Sequence, residues 1–285
     1  MAQKQKNYKI GDLSKAFSLS KNTLRYYESR GILSPTYEYS SGYRYYDDEQ
    51  IHMLGSLKKL QNMGLSVDES KVVFSGTSLK GVEELVTGCL DRERQQARLH
   101  SYLEGKLQKL LSRIQDTAAF GRITRREMPA HYEMRMGGPR NLVDDRELHP
   151  YAHQWLDHIF PVVNVHRLTA EDVEAGVYDP AYSLSVDSVG AQLLELDITN
   201  PFVSFHPAAD CLHVCNCFAG SRQDDVLTFH YLEQCRALLH RCREEGLVPV
   251  DTFYCNGLFT FLDQDGVSNK IGDIYLPVTE SPAET

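Results

Sequence analysis

The sequence lacks the features that mark several common classes of protein. No stretch is apolar over the ~20 residues that a membrane span needs, and residues 1–6 have no apolar signal-peptide core. It also has no Gly-rich phosphate loop, no Gly-x-Ser-x-Gly elbow and no His-Glu-x-x-His. We therefore expect a cytoplasmic protein that does not bind membranes, is not an enzyme and needs no cofactor.

The sequence has little tryptophan, and its cysteine count does not suggest paired thiols. Trp155 is the one tryptophan, and the seven cysteines are an odd number. Because the sequence shows no signal peptide, we expect reduced thiols and not a disulfide framework. The cysteines are Cys89, Cys211, Cys215, Cys217, Cys235, Cys242 and Cys255.

The net charge of −9 is unevenly distributed along the 285 residues. Residues 1–75 carry +3 and the remainder carries −12. The basic end suits contact with phosphate, whereas the acidic remainder would repel DNA. An apolar fraction of 42% supports real hydrophobic cores, and the length suffices for two domains.

The N-terminal end has the pattern of two short helices joined by a turn. Leu13 and Phe17 lie on one face of a first helix. Ser20 is a good N-cap for a second helix over residues 21–30, which Gly31 ends. This arrangement predicts a helix-turn-helix.

The second helix carries a polar face near its start. Lys21 and Arg25 are i,i+4 partners, as are Asn22 and Tyr26, while Leu24 points back to the first helix. Cationic and hydrogen-bonding residues at this place are typical of a recognition helix that meets base edges.

A tyrosine-rich hairpin follows the second helix. Residues 36–39 and 43–46 read as two strands around the turn Ser40-Ser41-Gly42. Asp47 is placed to cap a third helix, and Ser66 opens a short fourth helix. The hairpin makes the motif a winged helix-turn-helix.

Proline is absent from residues 82–118, which are rich in Glu, Arg, Gln, Leu and Lys. We expect one long helix that pairs with a second copy as a dimeric coiled coil. The alternative is an amphipathic helix folded onto its own domain. The heptad frame is Val82, Val86, Cys89, Glu93, Gln96, His100, Leu103, Leu107, Leu110 and Ile114, with apolar ends and a polar centre.

After Arg122 the pattern changes to short strands with helices between them. We expect two β-rich halves, each with its own helix, that form an α+β domain with an internal duplication. The expected strands are residues 122–136, 183–186, 191–197, 211–218, 258–262 and 271–278, and the clearest helix is residues 226–245.

These residues resemble the MerR family of bacterial transcription regulators over about residues 8–75. The resemblance implies a winged helix-turn-helix followed by a long antiparallel dimerisation helix. It rests on Ile10-Gly11, Leu24-Arg25-Tyr26-Tyr27-Glu28, Gly31-Ile32-Leu33 with Pro35, and Gly42-Tyr43-Arg44-Tyr45-Tyr46.

The C-terminal part resembles the GyrI-like effector domain of multidrug-sensing members of that family. The closing strand Gly272-Asp273-Ile274-Tyr275-Leu276-Pro277-Val278 carries this resemblance. We therefore expect three parts: a DNA-binding domain over residues 1–76, a linker and dimerisation helix over residues 77–120, and an effector domain over residues 121–285.

The resemblance implies a mode of action. A homodimer through residues 82–118 would bind double-stranded promoter DNA between the two promoter elements and distort it for RNA polymerase on the same promoter. Bending of this kind costs on the order of 1–6 kcal/mol. The expected DNA-binding residues are Lys21, Asn22, Thr23, Arg25, Tyr26, Tyr43, Arg44 and Tyr45, with Arg44 and the wing tyrosines on the backbone.

Aromatic residues in the C-terminal part indicate a lipophilic small-molecule effector, because they line apolar pockets and stack on flat ligands. Drug-binding relatives often carry a buried glutamate in the next-to-last strand, but Phe259 stands there in this chain. We therefore favour a neutral or mixed hydrophobic ligand, although Glu195 and Asp197 on one strand face offer a substitute charge. The expected ligand-binding residues are Tyr151, Trp155, Tyr182, Glu195, Phe229, Phe259, Phe261 and Tyr275.

The alternative is a metal- or thiol-responsive regulator. Cys211, His213, Cys215 and Cys217 alternate, so one strand face would present all four side chains. Neighbours on one face of a flat strand lie roughly 6–7 Å apart, which does not close a tetrahedron. Buried cysteines are the simpler interpretation, and we expect no metal there.

Overall fold

The computed structural model describes residues 7–37, 43–138, 141–142, 148–178, 180–220 and 226–281. The chain forms two compact units, Met1–Ala97 and Arg98–Thr285, and the border between them lies within one long helix. Within the described residues, no helix is both long and apolar enough to cross a membrane. The expected wing turn, residues 40–42, lies outside the described residues.

The first unit is mainly helical. A three-stranded antiparallel sheet in the order β1-β3-β2 accompanies four short helices. The elements are β1 (Tyr8–Lys9), α1 (Ile10–Phe17), α2 (Lys21–Ser29), β2 (Thr36–Tyr37), β3 (Arg44–Tyr46), α3 (Asp48–Asn62) and α4 (Val67–Phe74).

The helix starts predicted from the capping residues are confirmed. The Ser20 hydroxyl accepts a hydrogen bond from the Thr23 backbone N–H at 3.0 Å, and Asp47 caps α3 in the same way. Ser66 and Glu69 form a reciprocal capping box at α4. After α2, Gly31 adopts φ 72°, a left-handed conformation that favours glycine.

Helix α5 (Leu79–Gln115) is a single helix of 37 residues. It begins and ends three residues earlier than predicted, and a short 3-10 turn over Thr117–Ala119 follows it. Near its start Cys89 is buried, and Arg92 forms an ion pair with Glu69 of α4 at 3.3 Å between Nη1 and Oε1.

The second unit is built on a ten-stranded sheet. Its main path runs β4-β10-β13-β12-β7-β8-β5-β6, with β9 paired to β5 and β11 paired to β13. The elements are β4 (Thr124–Met128), β5 (His131–Gly138), β6 (Asn141–Leu142), α6 (His149–Leu156), β7 (Val163–Leu168), α7 (Ala170–Ala175), β8 (Ala181–Asp187), α8 (Ser188–Leu193), β9 (Val203–His206), β10 (Ala209–Gly220), α9 (Val226–Glu244), β11 (Leu247–Pro249), β12 (Phe253–Leu262) and β13 (Ser268–Glu280).

The two halves of this sheet repeat one arrangement. In the first half β5 pairs with β8, which pairs with β7, and α6 follows β5. In the second half β10 pairs with β13, which pairs with β12, and α9 follows β10. Strands β7 and β12 join the halves. Apart from β6, α7 and β11, the order strand, helix, strand, strand therefore occurs twice.

Two of the predicted strands are wrong in detail. Residues 191–197 are not a strand, because Asp187 accepts a hydrogen bond from the Gly190 N–H at 2.8 Å and thereby caps the short helix α8. Glu195 follows that helix with φ 52°, so it does not share a strand face with Asp197. Residues 122–136 form two strands because Pro129, between them, lacks a backbone N–H for a ladder.

Candidate DNA interface and effector cavity

Helix α2 separates its residues into an inner and an outer face. Leu24 and Tyr27 are buried in the core of the first unit with Leu13, Leu54 and Leu57. The four side chains predicted to form the polar face, Lys21, Asn22, Arg25 and Tyr26, are all exposed. Apolar packing on one side thus fixes a face of cationic and hydrogen-bonding groups on the other.

Thr23, the remaining candidate on α2, has a structural role. Its side chain is half-buried, and its hydroxyl lies 2.8 Å from that of the N-cap residue Ser20. Tyr26 accepts a hydrogen bond from Arg30 Nε at 3.2 Å, which holds its ring at the end of the exposed face.

The wing is tied to α2 through Glu28. Arg44 Nε lies 3.2 Å from Glu28 Oε2, and the buried Tyr46 hydroxyl donates to Glu28 Oε1. Burial, followed by this hydrogen bond, raises the pKa of Tyr46. Tyr43 is exposed and Tyr45 is half-buried. Because Glu28 is engaged by the wing, Arg25 keeps its exposed position on α2.

The predicted effector residues do not form one site. Trp155 is fully buried and Tyr151 packs beside it in the core of the first half of the sheet. Phe261 is exposed and lies 6.3 Å from the Phe259 ring. Glu195 follows α8, and its backbone carbonyl accepts a hydrogen bond from Gln154. The side chain of Phe229 lies outside the described residues.

A cavity of about 200 Å³ lies between the second part of α5 and the sheet. Helix α5 contributes Lys106, Lys109, Leu110 and Arg113 to its wall, and Tyr275 is the one expected ligand residue there. The sheet contributes Tyr254, Asn256 and Leu258 from β12 and Asp273 from β13, with Phe160 and Pro161 at the edge. One wall is therefore the helix itself.

Two ion pairs hold α5 over this cavity. Arg113 Nη2 lies 2.6 Å from Asp273 Oδ2, and Lys106 Nζ lies 2.7 Å from Asp187 Oδ2. Tyr102, also on α5, donates to the same Asp187 oxygen at 3.0 Å. Burial would raise the pKa of Asp187, but hydrogen bonds from Lys106, the Gly190 N–H and Tyr102 hold it below its usual value.

Asp273 is the functional candidate that sequence reasoning missed. It is 2% exposed, and its Oδ1 lies 3.0 Å from His213 Nε2 while its Oδ2 meets Arg113. It sits opposite Asn256 of β12, so it lies on the strand next to the one that carries Phe259. An aspartate inside an otherwise apolar closing strand was the available signal.

A second cavity, of about 630 Å³, is lined in part by Tyr182 and Phe259, two other residues predicted to bind the ligand. His166 and Lys270 also line it, and burial lowers the pKa of both, that of His166 to about 4. Phe160, Val163 and Leu258 are the residues that both cavities share, and no residue of α5 lines the larger one.

The cysteine strand does not have the character of a metal or thiol sensor. Cys211 and Cys215 are buried, and burial raises the pKa of each thiol to about 12, which disfavours the thiolate. His213 is held between Asp273 and Thr124. In the part of the chain that the structure describes, the one group of three metal-ligating side chains with converging donor atoms lies elsewhere.

Comparisons with known proteins agree on the first unit. Residues 8–85 match the family model of the MerR HTH family regulatory protein. The heavy metal-dependent transcription regulator 2 of Rhizobium meliloti (strain 1021) is 37% identical over 66 residues, which are 23% of this chain and 45% of that protein. The multidrug-efflux transporter 1 regulator of Bacillus subtilis (strain 168) is 34% identical over 93 residues, or 32% of each chain.

The chain thus spans less than half the length of these two relatives. A solved structure of EcmrR in a DNA complex covers 96% of this chain and 100% of its own, at 17% identity and a TM-score of 0.35. Family and relatives are described as transcription regulators, not as enzymes. The chain therefore has a mixed helix and sheet fold in which a helix-turn-helix domain, similar to that of the MerR family, precedes the long helix α5 and a sheet-rich C-terminal unit.

Proposed function

We propose that this protein is a homodimeric transcription regulator that binds double-stranded promoter DNA and switches transcription when a small lipophilic molecule enters its second unit. The observation that carries the DNA role is the exposed face of α2, with Lys21, Asn22, Arg25 and Tyr26 above a fully apolar inner side. Such a face fits the major groove, where arginine and asparagine read base edges bidentately.

The wing supports a second contact with the DNA backbone. Tyr43 is exposed beside Arg44, whose guanidinium is steered by Glu28 and lies 5.4 Å from the centre of the Tyr37 ring. Phosphate contacts from arginine and tyrosine fix the register of a recognition helix without reading sequence. The positive charge of residues 1–75 adds attraction that salt screens.

An exposed apolar stripe on α5 supports the homodimer. Val86, Leu90, Leu107, Leu111 and Ile114 are between 43% and 54% exposed, although all are large hydrophobic residues. Val86 and Leu107 are separated by three heptads, as are Leu90 and Leu111, so the stripe follows one face. The residues of the heptad frame at Cys89 and Leu110 instead face their own unit.

The distribution of apolar residues along the stripe suits pairing with a second copy of the chain. Its apolar residues lie near both ends of α5, while the centre carries polar residues such as Gln96 and His100. Antiparallel pairing of two copies would set Val86 of one against Ile114 of the other. Parallel pairing would cover both apolar ends as well, so the antiparallel orientation rests on the family resemblance.

The promoter mechanism rests on the family resemblance. The dimer would bind the spacer between the two promoter elements, distort it and present it to RNA polymerase on the same promoter. Distortion costs on the order of 1–6 kcal/mol, and the difference in effector affinity between two states of the protein would supply it.

The cavity beside α5 is the effector site that we favour. Because Lys106, Leu110 and Arg113 form part of its wall, a ligand there acts directly on the helix that continues to Arg92 and the first unit. A neutral ligand leaves the Arg113–Asp273 pair in place, while a cation would compete with Arg113 for Asp273. We therefore expect a lipophilic small molecule. Whether a cationic ligand binds depends on whether it can displace Arg113 from Asp273.

The DNA role is tested by selecting binding sites from a random double-stranded DNA library with the full chain. We expect enrichment of a near-palindromic site, and we expect Arg25→Ala to lose that enrichment while remaining folded. Tyr132→Phe, a change in the second unit, serves as the control. Failure of the parent protein to enrich any site would contradict the proposal.

The dimer is tested by light scattering after size-exclusion chromatography. Leu107→Glu places a charge in the stripe and should yield monomers, while Val250→Glu, at an exposed apolar residue away from α5, should remain dimeric. A parent protein that is monomeric at micromolar concentration would contradict pairing through α5.

The effector site is tested by calorimetric titration with phenyltrimethylammonium and with its neutral isostere tert-butylbenzene. Binding that Leu110→Trp abolishes, by filling the cavity, supports this site. Binding that persists in Leu110→Trp and is lost in Phe259→Ala would move the site to the larger cavity and contradict the assignment.

A further inference from the structure

A cluster of titratable side chains lies at the β5 and β9 edge of the sheet, next to the cavity beside α5. His131 and Glu133 alternate on β5, so both point to one face, and His206 lies on β9 directly opposite His131. One donor atom from each of the three residues lies within 4.8 Å of the other two.

Two of these donor atoms are buried without a hydrogen-bond partner. They are His131 Nε2 and Glu133 Oε2, in residues that are each 6% exposed. An unsatisfied buried polar atom costs about 1–3 kcal/mol, so native proteins seldom leave two side by side. A shared ligand between them would satisfy both.

The second nitrogen of each imidazole is already held. His131 Nδ1 lies 3.0 Å from the Pro129 carbonyl, which can only accept, so Nδ1 carries the proton and Nε2 presents a lone pair. Imidazoles that bind metals usually donate their other N–H to a carbonyl or carboxylate in this way.

His206 is oriented by a similar chain of contacts. The Tyr254 hydroxyl lies 3.2 Å from Asp251 Oδ2 and 2.9 Å from His206 Nδ1. When Tyr254 donates to the carboxylate, it accepts from His206 Nδ1, so His206 Nε2 also presents a lone pair. That nitrogen lies 3.6 Å from Glu133 Oε2 and 3.0 Å from the Ser204 hydroxyl. The Ser204 hydroxyl also donates to the Glu133 carbonyl at 3.4 Å, so its proton need not occupy the His206 lone pair.

We propose that His131, Glu133 and His206 form a binding site for a divalent transition-metal ion, with Zn²⁺ as the best match. Two imidazole nitrogens and one carboxylate oxygen are a common zinc ligand set, and the fourth position would hold water. Zinc bonds of about 2.0–2.1 Å need donor atoms roughly 3.3 Å apart. The separations from Glu133 Oε2 are 3.6 Å and 4.0 Å, and all three donor atoms lie within 4.8 Å of one another. Binding therefore requires the side chains to close by up to roughly 1.5 Å.

The charges around the cluster permit a cation. Arg167 Nη1 lies 3.6 Å from Glu133 Oε2, but Arg167 is also 3.6 Å from Asp251 and stacks 3.7 Å from the Tyr254 ring centre. Arg167 and Asp251 offset one another, which leaves the charge of Glu133 for the metal. Because His131 and Tyr254 also line the cavity beside α5, the ion would stiffen that edge of the cavity.

The test is a Zn²⁺ titration of the full, reduced chain against a chromophoric chelator. We expect one tightly bound equivalent in the parent protein and at least about a hundredfold weaker binding in His206→Gln and in Glu133→Gln. Tyr254→Phe, which removes only the support of His206, should weaken binding about tenfold. Circular dichroism checks that each variant is folded, and Tyr254→Phe decides the matter if the ligand variants are not.

Two controls separate this site from other zinc ligands. His153→Gln removes an exposed histidine on α6, and Cys217→Ser removes the least buried thiol of the cysteine strand, so both should bind as the parent does. The proposal is overturned if the parent binds no equivalent of zinc, or if the folded variants at His206, Glu133 and Tyr254 all bind as tightly as the parent.

Discussion

The two units differ in where the charged side chains of their candidate sites lie: they are exposed on α2 in the first unit and buried or half-buried in ion pairs in the second. In the first unit, Lys21 and Arg25 project from a short helix into solvent, and the core beneath them is apolar. In the second unit, Asp187, Asp273 and Glu133 are buried or half-buried against cations brought from other elements. The first surface can contact a partner directly, whereas Asp187 and Asp273 in the second unit already have cationic partners within the chain.

This difference predicts different responses to ligands. The exposed face of α2 can bind DNA without breaking an internal contact, so its affinity should depend mainly on individual side chains and salt. A charged ligand in the cavity must displace Arg113 or Lys106, so binding there should be coupled to the position of α5.

Leu24→Ala should destabilise the first unit by about 2–5 kcal/mol, because the side chain is fully buried and its removal leaves a cavity. Urea unfolding followed by circular dichroism measures the change. Trp155 is buried in the second unit, so its fluorescence transition provides the internal control. A loss below 1 kcal/mol would mean that Leu24 is not a core residue.

Gly190→Ala should destabilise the second unit by about 1–3 kcal/mol through overpacking. An added Cβ would collide with the Tyr102 hydroxyl and lie 2.7 Å from Val186 Cγ2, so it would push Tyr102 away from Asp187. The Trp155 fluorescence transition measures this change. Gly55→Ala, on α3 with open space around it, should leave that transition unmoved.

Arg25→Ala should weaken binding to the selected DNA site by about 1–3 kcal/mol and leave the free energy of unfolding nearly unchanged. Leu24 and Arg25 are neighbours in sequence, so the pair separates packing from recognition at one place in the helix. Fluorescence anisotropy with labelled DNA at fixed salt measures the affinity. Equal binding by the variant would remove Arg25 from the recognition face.

Lys106→Met should remove about 1 kcal/mol from the second unit at neutral pH, since the ion pair with Asp187 is partly exposed. The folded pKa of Asp187 is depressed, so its contribution is present above its unfolded pKa of about 3.9 and is lost as pH falls through the lower folded value. The parent and variant curves should therefore converge below pH 4. A difference that persists at pH 2 would contradict this cause.

The parts of the structure that sequence predicts well are those fixed by nearby residues. Ser20, Asp47 and Ser66 identify helix starts because a cap involves a residue only three positions away. Residues 191–197 were misread because the cap at Asp187 competes with strand propensity. The polar face of α2 follows from helical periodicity alone.

The cavity could not be predicted from residues that are close together in the sequence. Arg113 meets Asp273, and Lys106 meets Asp187, only after α5 lies against a sheet whose strand order is not sequential. The aromatic content of the sequence predicts Trp155 and Tyr151 as ligand residues, but both pack in the hydrophobic core. It does not predict that Asp273 of β13 lines the cavity. The residues that line the cavity depend on which face of α5 packs against the sheet.

We propose that contacts of α5 with the sheet control the DNA-bound state of the protein. The most direct measurement is in vitro transcription from a promoter that carries the selected site, comparing the parent with Arg113→Met in the absence of effector. Release of the Arg113–Asp273 contact should change transcription by about 5–150-fold, the usual range of allosteric coupling. Arg241→Met, which removes an exposed pair with Glu245 on α9, should behave as the parent does. Identical transcription by the parent and Arg113→Met would contradict the account.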